Sequence, residues 1–345
     1  MIPFRTRRLL RRIFVTLLVL ALIAAVVLGC WVLWLNRYVI YTRDGAKVDF
    51  DLAPELTPGR PAVAPTAGRP VDIIYQEDDA IEGETGYTLT QLKGVYADAQ
   101  ALLENFEETA EALRKLSADT AIMLDVKNVR SEFFYPTAHG RNEPGIDGER
   151  LKTLIGELKE TDHYLIARLP AFREYWYILD DETERVPYGL PRYGGNGALW
   201  LDESGPNYWM NPSAEGTMNR LREIITELKS LGFDEVVLDD FRFPDTDRIA
   251  YEGDREAAIR DAAAFLVKIC ATDKFAVSFV GTDPTFPLPE GRSRLYLKNA
   301  SATQLGHLAE QTGLADPTIR LVFLTETLDT RFDDYGVLRP ADTMQ

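Results

Sequence analysis

Residues 234–244 read DEVVLDDFRFP, and this stretch decides how the rest of the sequence is interpreted. The apolar residues 236–238 predict a strand buried on both faces, which is typical of a parallel sheet. The strand ends in two adjacent carboxylates, Asp239 and Asp240, which are followed by two aromatic residues, an arginine and a proline. Charged groups collected at the end of a buried strand indicate a functional site, because buried strands do not normally end in this way.

The same strand pattern recurs along the chain, separated by amphipathic segments with the period of a helix. Further strands are predicted at 71–75, 93–98, 120–127, 164–170, 275–280 and 319–326, and helices at 99–117, 147–161, 214–232, 254–271 and 301–313. Six or seven strand–helix repeats predict an α/β fold of the (β/α)₈ TIM-barrel type over residues 71–345. An open doubly wound sheet is the main alternative, and the pattern leaves open whether the barrel is complete.

The N-terminus has a different composition from this body. Residues 1–12 contain five arginines and no acid, and residues 13–35 form an apolar run of 23 residues without a charge. As a helix this run is about 35 Å long, which is enough to cross a bilayer. The sequence predicts a transmembrane signal anchor in the plasma membrane, with the arginines in the cytoplasm and the following chain outside.

The apolar run has two other interpretations, a cleaved signal peptide and a lipid attachment site. A cleaved signal peptide has a shorter apolar region that ends at small residues. A lipid attached at Cys30 would end the run there, but Trp31 to Leu35 continue it. We therefore favour the uncleaved anchor.

The segment 36–70 is predicted to join the anchor to the barrel. Residues 38–52 alternate apolar and polar side chains around Asp44-Gly45, which predicts a β-hairpin. Residues 53–70 are rich in Pro, Gly and Ala and are typical of an extended linker.

Charge and cysteine content exclude several functions. Beyond residue 12 the chain has 33 basic and 54 acidic residues, a net charge of −21. This acidic balance argues against nucleic acid or an anionic membrane surface as a partner of the body. The two cysteines are not expected to form a disulfide, and the three isolated histidines do not form a zinc motif, so we expect no metal or cofactor.

Polar side chains follow several of the predicted strands. In a barrel the carboxyl ends of the strands meet at one mouth, so side chains there are functional candidates. A single aspartate at such a position is more often a helix cap, but several on different strands beside basic residues weaken that explanation. The candidates are Asp125, Lys127, Arg168, Asp239, Arg242, Asp283 and Glu326.

Paired carboxylates without metal-binding histidines are typical of glycoside hydrolysis. One carboxylate is ionised and faces the anomeric carbon, while a second protonates the leaving oxygen. Aromatic residues such as Tyr135 and Trp209 would offer flat faces to sugar rings, whereas Phe241 is as well explained by core packing. Alternation along the strand sends Asp239 and Asp240 to opposite sides, so only one of them can face the mouth.

Five motifs also resemble a known family. They are GVYA at 94–97, AIMLDVKN at 121–128 followed by Tyr135-Pro136, LIARLPAF at 165–172, YWMNPSAEG at 208–216 and LGFDEVVLDDFRFP at 231–244. The sequence resembles the "putative glycoside hydrolase domain" family of bacterial TIM-barrel proteins, over about residues 94–244. Asp239, Arg242, Trp209 and Asn211 match its motifs, as do Asp125, Lys127 and Arg168. Asp240 has no counterpart, and the resemblance beyond Pro244 does not supply a second carboxylate.

Together with the predicted anchor, the resemblance implies a membrane-anchored, extracellular glycoside hydrolase-like protein that acts on a cell-envelope or environmental glycan. Because the family motif matches Asp239, we assign Asp239 inward and Asp240 outward, as a helix cap or a partner for a neighbouring base. Asp239 is then the nucleophile or charge stabiliser, held ionised by Arg242 and Arg168. Asp283 is the expected proton donor, with Glu326 as second choice, while Asp125, Lys127 and Asn211 bind sugar hydroxyls. The alternative is a non-catalytic carbohydrate-binding protein, or a structural envelope protein, on a degenerate barrel.

Overall fold

The computed structural model describes residues 39–42, 45–48, 89–180, 186, 200–202, 205–207, 209–245, 251–281 and 283–341. The N-terminal part forms a unit of its own, in which β1 (Val39–Thr42) and β2 (Gly45–Val48) pair antiparallel as the predicted hairpin. The predicted anchor at 13–35, the linker at 53–70 and the strand at 71–75 lie outside the described residues. No helix of the described part is long and apolar enough to cross a bilayer.

The remaining described strands follow in chain order. They are β3 (Lys93–Ala97), β4 (Ala121–Asp125), β5 (Glu132–Phe133), β6 (Arg141–Asn142), β7 (Leu165–Pro170), β8 (Trp200–Asp202), β9 (Gly205–Asn207), β10 (Glu235–Asp239), β11 (Ala276–Gly281), β12 (Leu295–Lys298), β13 (Leu321–Leu324) and β14 (Gly336–Pro340).

Eight of these strands form a closed parallel barrel in the order β3-β4-β7-β10-β11-β12-β13-β14, and β14 pairs with β3. The predicted barrel is therefore confirmed and complete, and the doubly wound sheet is excluded because the sheet has no open edge. The first strand of the barrel in chain order begins at Lys93.

Two barrel strands, β12 and β14, were not predicted. Their segments, LYLK and GVLRP, are short and carry basic residues, so they do not read as buried strands. Lys298, the charged residue of β12, is directed to the mouth of the barrel, as described below.

The helices are α1 (Ala99–Glu104), α2 (Phe106–Arg114), α3 (Gly148–Glu160), α4 (Trp176–Asp180), α5 (Glu215–Ser230), α6 (Arg255–Cys270), α7 (Leu305–Thr312) and α8 (Pro317–Arg320), with a 3₁₀ turn at Thr330–Asp334. The predicted helix at 99–117 is two helices that meet at Asn105. The helices predicted at 147–161, 214–232 and 254–271 are confirmed within one or two residues, while α7 starts later than predicted.

The barrel interior is apolar through its middle and polar at its amino-terminal end. Its buried apolar side chains are Leu92, Ala121, Met123, Ile166, Val237, Val280, Tyr296, Val322, Leu324 and Leu338. Below this layer lie Glu235, the first residue of β10, and Arg294, which immediately precedes β12; both side chains are inaccessible to solvent.

Glu235 and Arg294 form a buried ion pair that is hydrogen-bonded to groups from several strands and from the segments before them. The hydroxyls of Tyr164 and Tyr296 donate to the two carboxylate oxygens of Glu235, at 2.9 and 3.0 Å. Arg294 also donates to the carbonyl oxygens of Ile319 and Thr90. Burial, and then the Glu235 charge, raise the pKa of both tyrosines, so both remain donors.

We predict that breaking this pair destabilises the barrel strongly. Glu235→Ala leaves the Arg294 charge buried without its partner, which should lower the free energy of unfolding by about 3–5 kcal/mol. Glu157→Ala, which breaks the half-exposed pair with Arg114, should cost about 1 kcal/mol or less. Urea denaturation followed by tryptophan fluorescence measures both, and equal costs for the two variants would contradict the prediction.

Candidate active site

Four charged side chains from four different strands meet at the carboxyl-terminal mouth of the barrel. Asp125, Arg168, Asp239 and Lys298 lie on β4, β7, β10 and β12. Each follows by two positions an interior residue of the same strand, so strand alternation turns it to the inside. The interior residues concerned are Met123, Ile166, Val237 and Tyr296.

Asp125 and Arg168 form a two-bonded ion pair between neighbouring strands. Nε of Arg168 lies 2.5 Å from Oδ1 of Asp125, and Nη2 lies 2.8 Å from Oδ2. The backbone N–H of Ala99 donates to the same Oδ2, so the carboxylate is held from both sides. Burial alone would lower the pKa of Arg168, but Asp125 and, less strongly, Asp239 outweigh burial and raise it. Arg168 is therefore a fixed positive charge.

Asp239 pairs with Lys298 and not with Arg242, which the sequence had suggested as its partner. Nη2 of Arg242 lies 3.9 Å from Oδ1 of Asp240, and its Nη1 donates to the carbonyl of Phe243. The correction follows from strand direction: Asp239 is the last inward residue of β10, whereas Arg242 is already on the rim. Lys298 was missed because β12 was not recognised as a strand.

Asp240 belongs to a separate cluster on the rim, as the predicted outward orientation requires. Its Oδ2 accepts a hydrogen bond from Arg173 at 3.2 Å, and its backbone has a φ of +49°. Burial and the charge of Asp239 raise the pKa of Asp240, against the opposing effect of Arg173 and Arg242. The guanidinium carbons of Arg173 and Arg242 lie 5.7 and 5.0 Å from the ring of Trp209.

Three predicted sugar-binding residues are buried. The amino group of Lys127 lies 2.6 Å from Glu174, and neither side chain is exposed. The hydroxyl of Tyr135 donates to Glu227 on α5, and Trp209 is almost fully covered. Their role as sugar contacts stays a prediction. Burial also lowers the pKa of Lys127, although Glu174 opposes it.

Phe241 and Asn211 also have structural roles. Phe241 is buried against Phe172 and Phe279, which decides in favour of core packing. The side-chain oxygen of Asn211 accepts the backbone N–H of Ser213 at 3.0 Å, in the turn that leads into α5. This bond occupies one lone pair of Asn211 and fixes the start of the helix.

The two predicted proton donors lie in different surroundings. Asp283 follows β11 in an exposed loop, where its Oδ1 accepts hydrogen bonds from the backbone and the hydroxyl of Thr285. Glu326 follows β13, is exposed, and lines a cleft of about 650 Å³ together with Tyr96 and Asp98. The ring of Tyr96 lies 5.9 Å from the guanidinium of Arg168, so this cleft adjoins the mouth.

The loop from β4 to α3, on the mouth side, contains a pair of glutamates that sequence reasoning missed. The side-chain amide of Asn128 donates to Glu132 at 2.8 Å and to Glu143 at 2.7 Å, so one amide group joins the two carboxyl groups. Burial and the Glu132 charge raise the pKa of Glu143. Burial alone would raise the pKa of Glu132, but hydrogen bonds from Asn128 and Trp176 outweigh burial and lower it.

We predict that Glu143→Gln stabilises the protein at pH 8 but not at pH 4. The raised pKa of Glu143 means that its favourable protonated state is present at low pH and is lost as the pH rises through that pKa. Glutamine keeps a neutral group at every pH, and the gain should be about 1 kcal/mol or less at this partly exposed site.

Thermal denaturation at the two pH values measures the effect. Glu310→Gln, on the exposed face of α7, is the control and should change the melting temperature little at either pH. A melting temperature for Glu143→Gln that differs from the wild type equally at pH 4 and pH 8 would contradict the raised pKa of Glu143.

Comparison with known families places the chain. The family described as "Putative glycosyl hydrolase domain" matches residues 94–276, more than half of the sequence. The chain belongs to this family. The match includes Asp125, Arg168 and Asp239, and it extends beyond the 94–244 stretch predicted from motifs. A comparison with curated proteins gave no match.

Three solved structures are similar to this chain. A GH20 exo-β-N-acetylglucosaminidase from Vibrio harveyi superposes with a TM-score of 0.50 at 9% identity, over 68% of this chain and 41% of that one. The glycoside hydrolase domain of PelA from Pseudomonas aeruginosa gives 0.44 at 14% identity, over 74% and 96%. A hypothetical protein from Ruminiclostridium thermocellum gives 0.44 at 18%, over 54% and 96%. At these identities the likeness is one of fold.

Proposed function

We propose that this domain hydrolyses O-glycosidic bonds of a glycan at the mouth of its barrel, with Asp239 as the reacting carboxylate. The observation that carries the proposal is the position of Asp239: the last inward residue of β10, partly exposed and paired with Lys298. A carboxylate kept ionised beside the anomeric carbon is what glycoside hydrolysis requires, and membership of the family supports this chemistry.

The reaction needs two carboxyl groups with different tasks. Asp239 attacks the anomeric carbon or stabilises the positive charge that develops there, while the bond to the leaving oxygen breaks. A second carboxyl group donates a proton to that oxygen, and water supplies the new hydroxyl. We propose Asp283 or Glu326 as this donor; Glu326 has the support of the cleft that it lines beside the mouth.

We expect Asp239→Asn to abolish hydrolysis and Asp240→Asn to preserve it. Both changes remove one charge and keep the shape of the side chain, so the two adjacent residues are matched. Loss of the reacting carboxylate should lower kcat/KM by about 10⁴-fold or more. Loss of the Asp240 charge affects only its bonds with Arg173 and Arg242 and should cost about tenfold or less.

The assay uses the full-length protein in detergent and a panel of 4-nitrophenyl glycosides and cell-envelope glycans. An active Asp239→Asn variant together with an inactive Asp240→Asn variant would contradict the proposal, because Asp240 would then be the reacting carboxylate. Binding of a glycan without hydrolysis by the wild type would instead support the carbohydrate-binding alternative.

The proton donor is identified by comparing leaving groups. A 4-nitrophenolate leaves without help, whereas a sugar hydroxyl needs a proton. The variant that removes the donor, Asp283→Asn or Glu326→Gln, should therefore lose far more activity on the glycan than on the 4-nitrophenyl glycoside. Asp239→Asn should lose activity on both. Equal losses on the two substrates for both variants would exclude Asp283 and Glu326 as donors.

We also propose that residues 13–35 anchor the protein in the plasma membrane as a single-pass helix, with the domain outside the cell. The uncharged run of 23 residues and the arginines that precede it support this orientation.

Protease added to intact cells should remove the domain, and Cys30→Ser should leave it bound to the membrane. Release of the domain without protease would favour a cleaved signal peptide. Release of only the Cys30→Ser variant would favour a lipid anchor at Cys30, and full protection from protease would place the domain inside.

A further inference from the structure

Lys298 is a mouth residue that no sequence motif identified. It is the last residue of β12 and contacts Asp239 on β10, although β11 lies between these two strands. In a barrel of this type the inward residues of alternate strands share one layer. The contact therefore joins two strands that are not neighbours in the sheet.

The other basic groups of the mouth are held by different carboxylates. Arg168 has both arms of its guanidinium on Asp125. Arg173 and Arg242 face Asp240 on the rim. Within the described part of the chain, the cation that forms an ion pair with Asp239 is thus Lys298.

Asp239 also stands among other acids. Asp240 is its neighbour in sequence and donates its backbone N–H to Oδ1 of Asp239. Asp125 lies two strands away across Arg168. Like charges at such distances disfavour the ionised state of a carboxylate, and an opposite charge in contact favours it.

We propose that Lys298 is the positioning residue of the hydrolytic reaction, because its ammonium group pairs with the Asp239 carboxylate and orients it. This inference rests on the proposed function and adds a residue to it. The exposed fractions support it: 39% of the Lys298 side chain is exposed, against 20% of Asp239 and 14% of Arg168. Lys298 is therefore more open to an entering substrate than Arg168 is.

The charged groups around the pair are Asp125 from β4, Arg168 from β7, Asp240 and Arg242 from the end of β10, and Glu326 after β13. Replacing Lys298 by methionine leaves all of them in place. The carboxylate of Asp239 should then take up a proton at higher pH, by about one pH unit for a half-exposed pair.

The first measurement is direct and does not need a substrate. In full-length protein with ¹³C-labelled aspartate carboxyls, the Asp239 signal is the one lost in Asp239→Asn. Its titration midpoint should rise by about one pH unit in Lys298→Met and return towards the wild type in Lys298→Arg. Lys268→Met, on the exposed face of α6, is the matched control and should change nothing.

The second measurement uses the glycoside that the wild type cleaves. In Lys298→Met the acid limb of the kcat/KM profile should move to higher pH by the same amount. Above that limb kcat should fall about tenfold or more while KM changes little, because orientation of the reacting carboxylate is lost. Lys298→Arg should recover most of the rate.

The outcomes separate this inference from the proposed function. An unchanged Asp239 midpoint in Lys298→Met overturns the inference whether or not the wild type hydrolyses a glycoside. A rise in KM with an unchanged acid limb would also overturn it, since Lys298 would then bind substrate only. A shifted midpoint in a protein that cleaves no glycoside would keep the electrostatic pairing and reject hydrolysis.

Discussion

Closure of the barrel between β14 and β3 is the constraint on which the candidate site depends. Once the sheet is closed, inward side chains at the strand ends must converge on a single mouth. The barrel requires β3 and β4 to lie close together at Gly94. A Cβ at this position would lie 1.9 Å from the carbonyl oxygen of Ala121, so only glycine fits there. The buried Glu235–Arg294 pair adds a polar link at the opposite end, because Arg294 also binds carbonyl groups near the starts of β3 and β13.

Charges of alternating sign follow one another across the mouth. Asp125, Arg168, Asp239 and Lys298 form a series in which each charge lies beside one of opposite sign, and three of the four are largely covered. Asp239 lies between two cations and keeps 20% of its side chain exposed, so it stays accessible to a substrate. The bidentate Asp125–Arg168 pair forms one end of the series, and the more exposed Lys298 forms the other.

The sequence predicted the parts of this arrangement that depend on period and on strand ends. Apolar runs and helical periodicity located six of the barrel strands, and alternation placed Asp239 and Asp240 on opposite sides, with the family motif assigning Asp239 inward. The sequence could not predict Lys298 or Arg294, because a basic residue on a short strand looks the same whether it faces solvent or a carboxylate on another strand. For a related reason it could not predict that the rings of Tyr135 and Trp209 are buried.

The two adjacent aspartates of DEVVLDDFRFP can now be explained by the backbone between them. An extended strand would send Asp240 into the layer between barrel and helices, where an ionised carboxylate is costly. The left-handed conformation at Asp240 ends the strand at Asp239 and turns the Asp240 side chain to the rim, where it pairs with Arg173 and Arg242. Such a conformation is unusual outside glycine, although aspartate tolerates it better than most residues. The local cost of the turn is offset by the ion pairs, and its effect is to separate two neighbouring carboxylates into different environments: one faces the mouth, and the other holds the arginines that frame it.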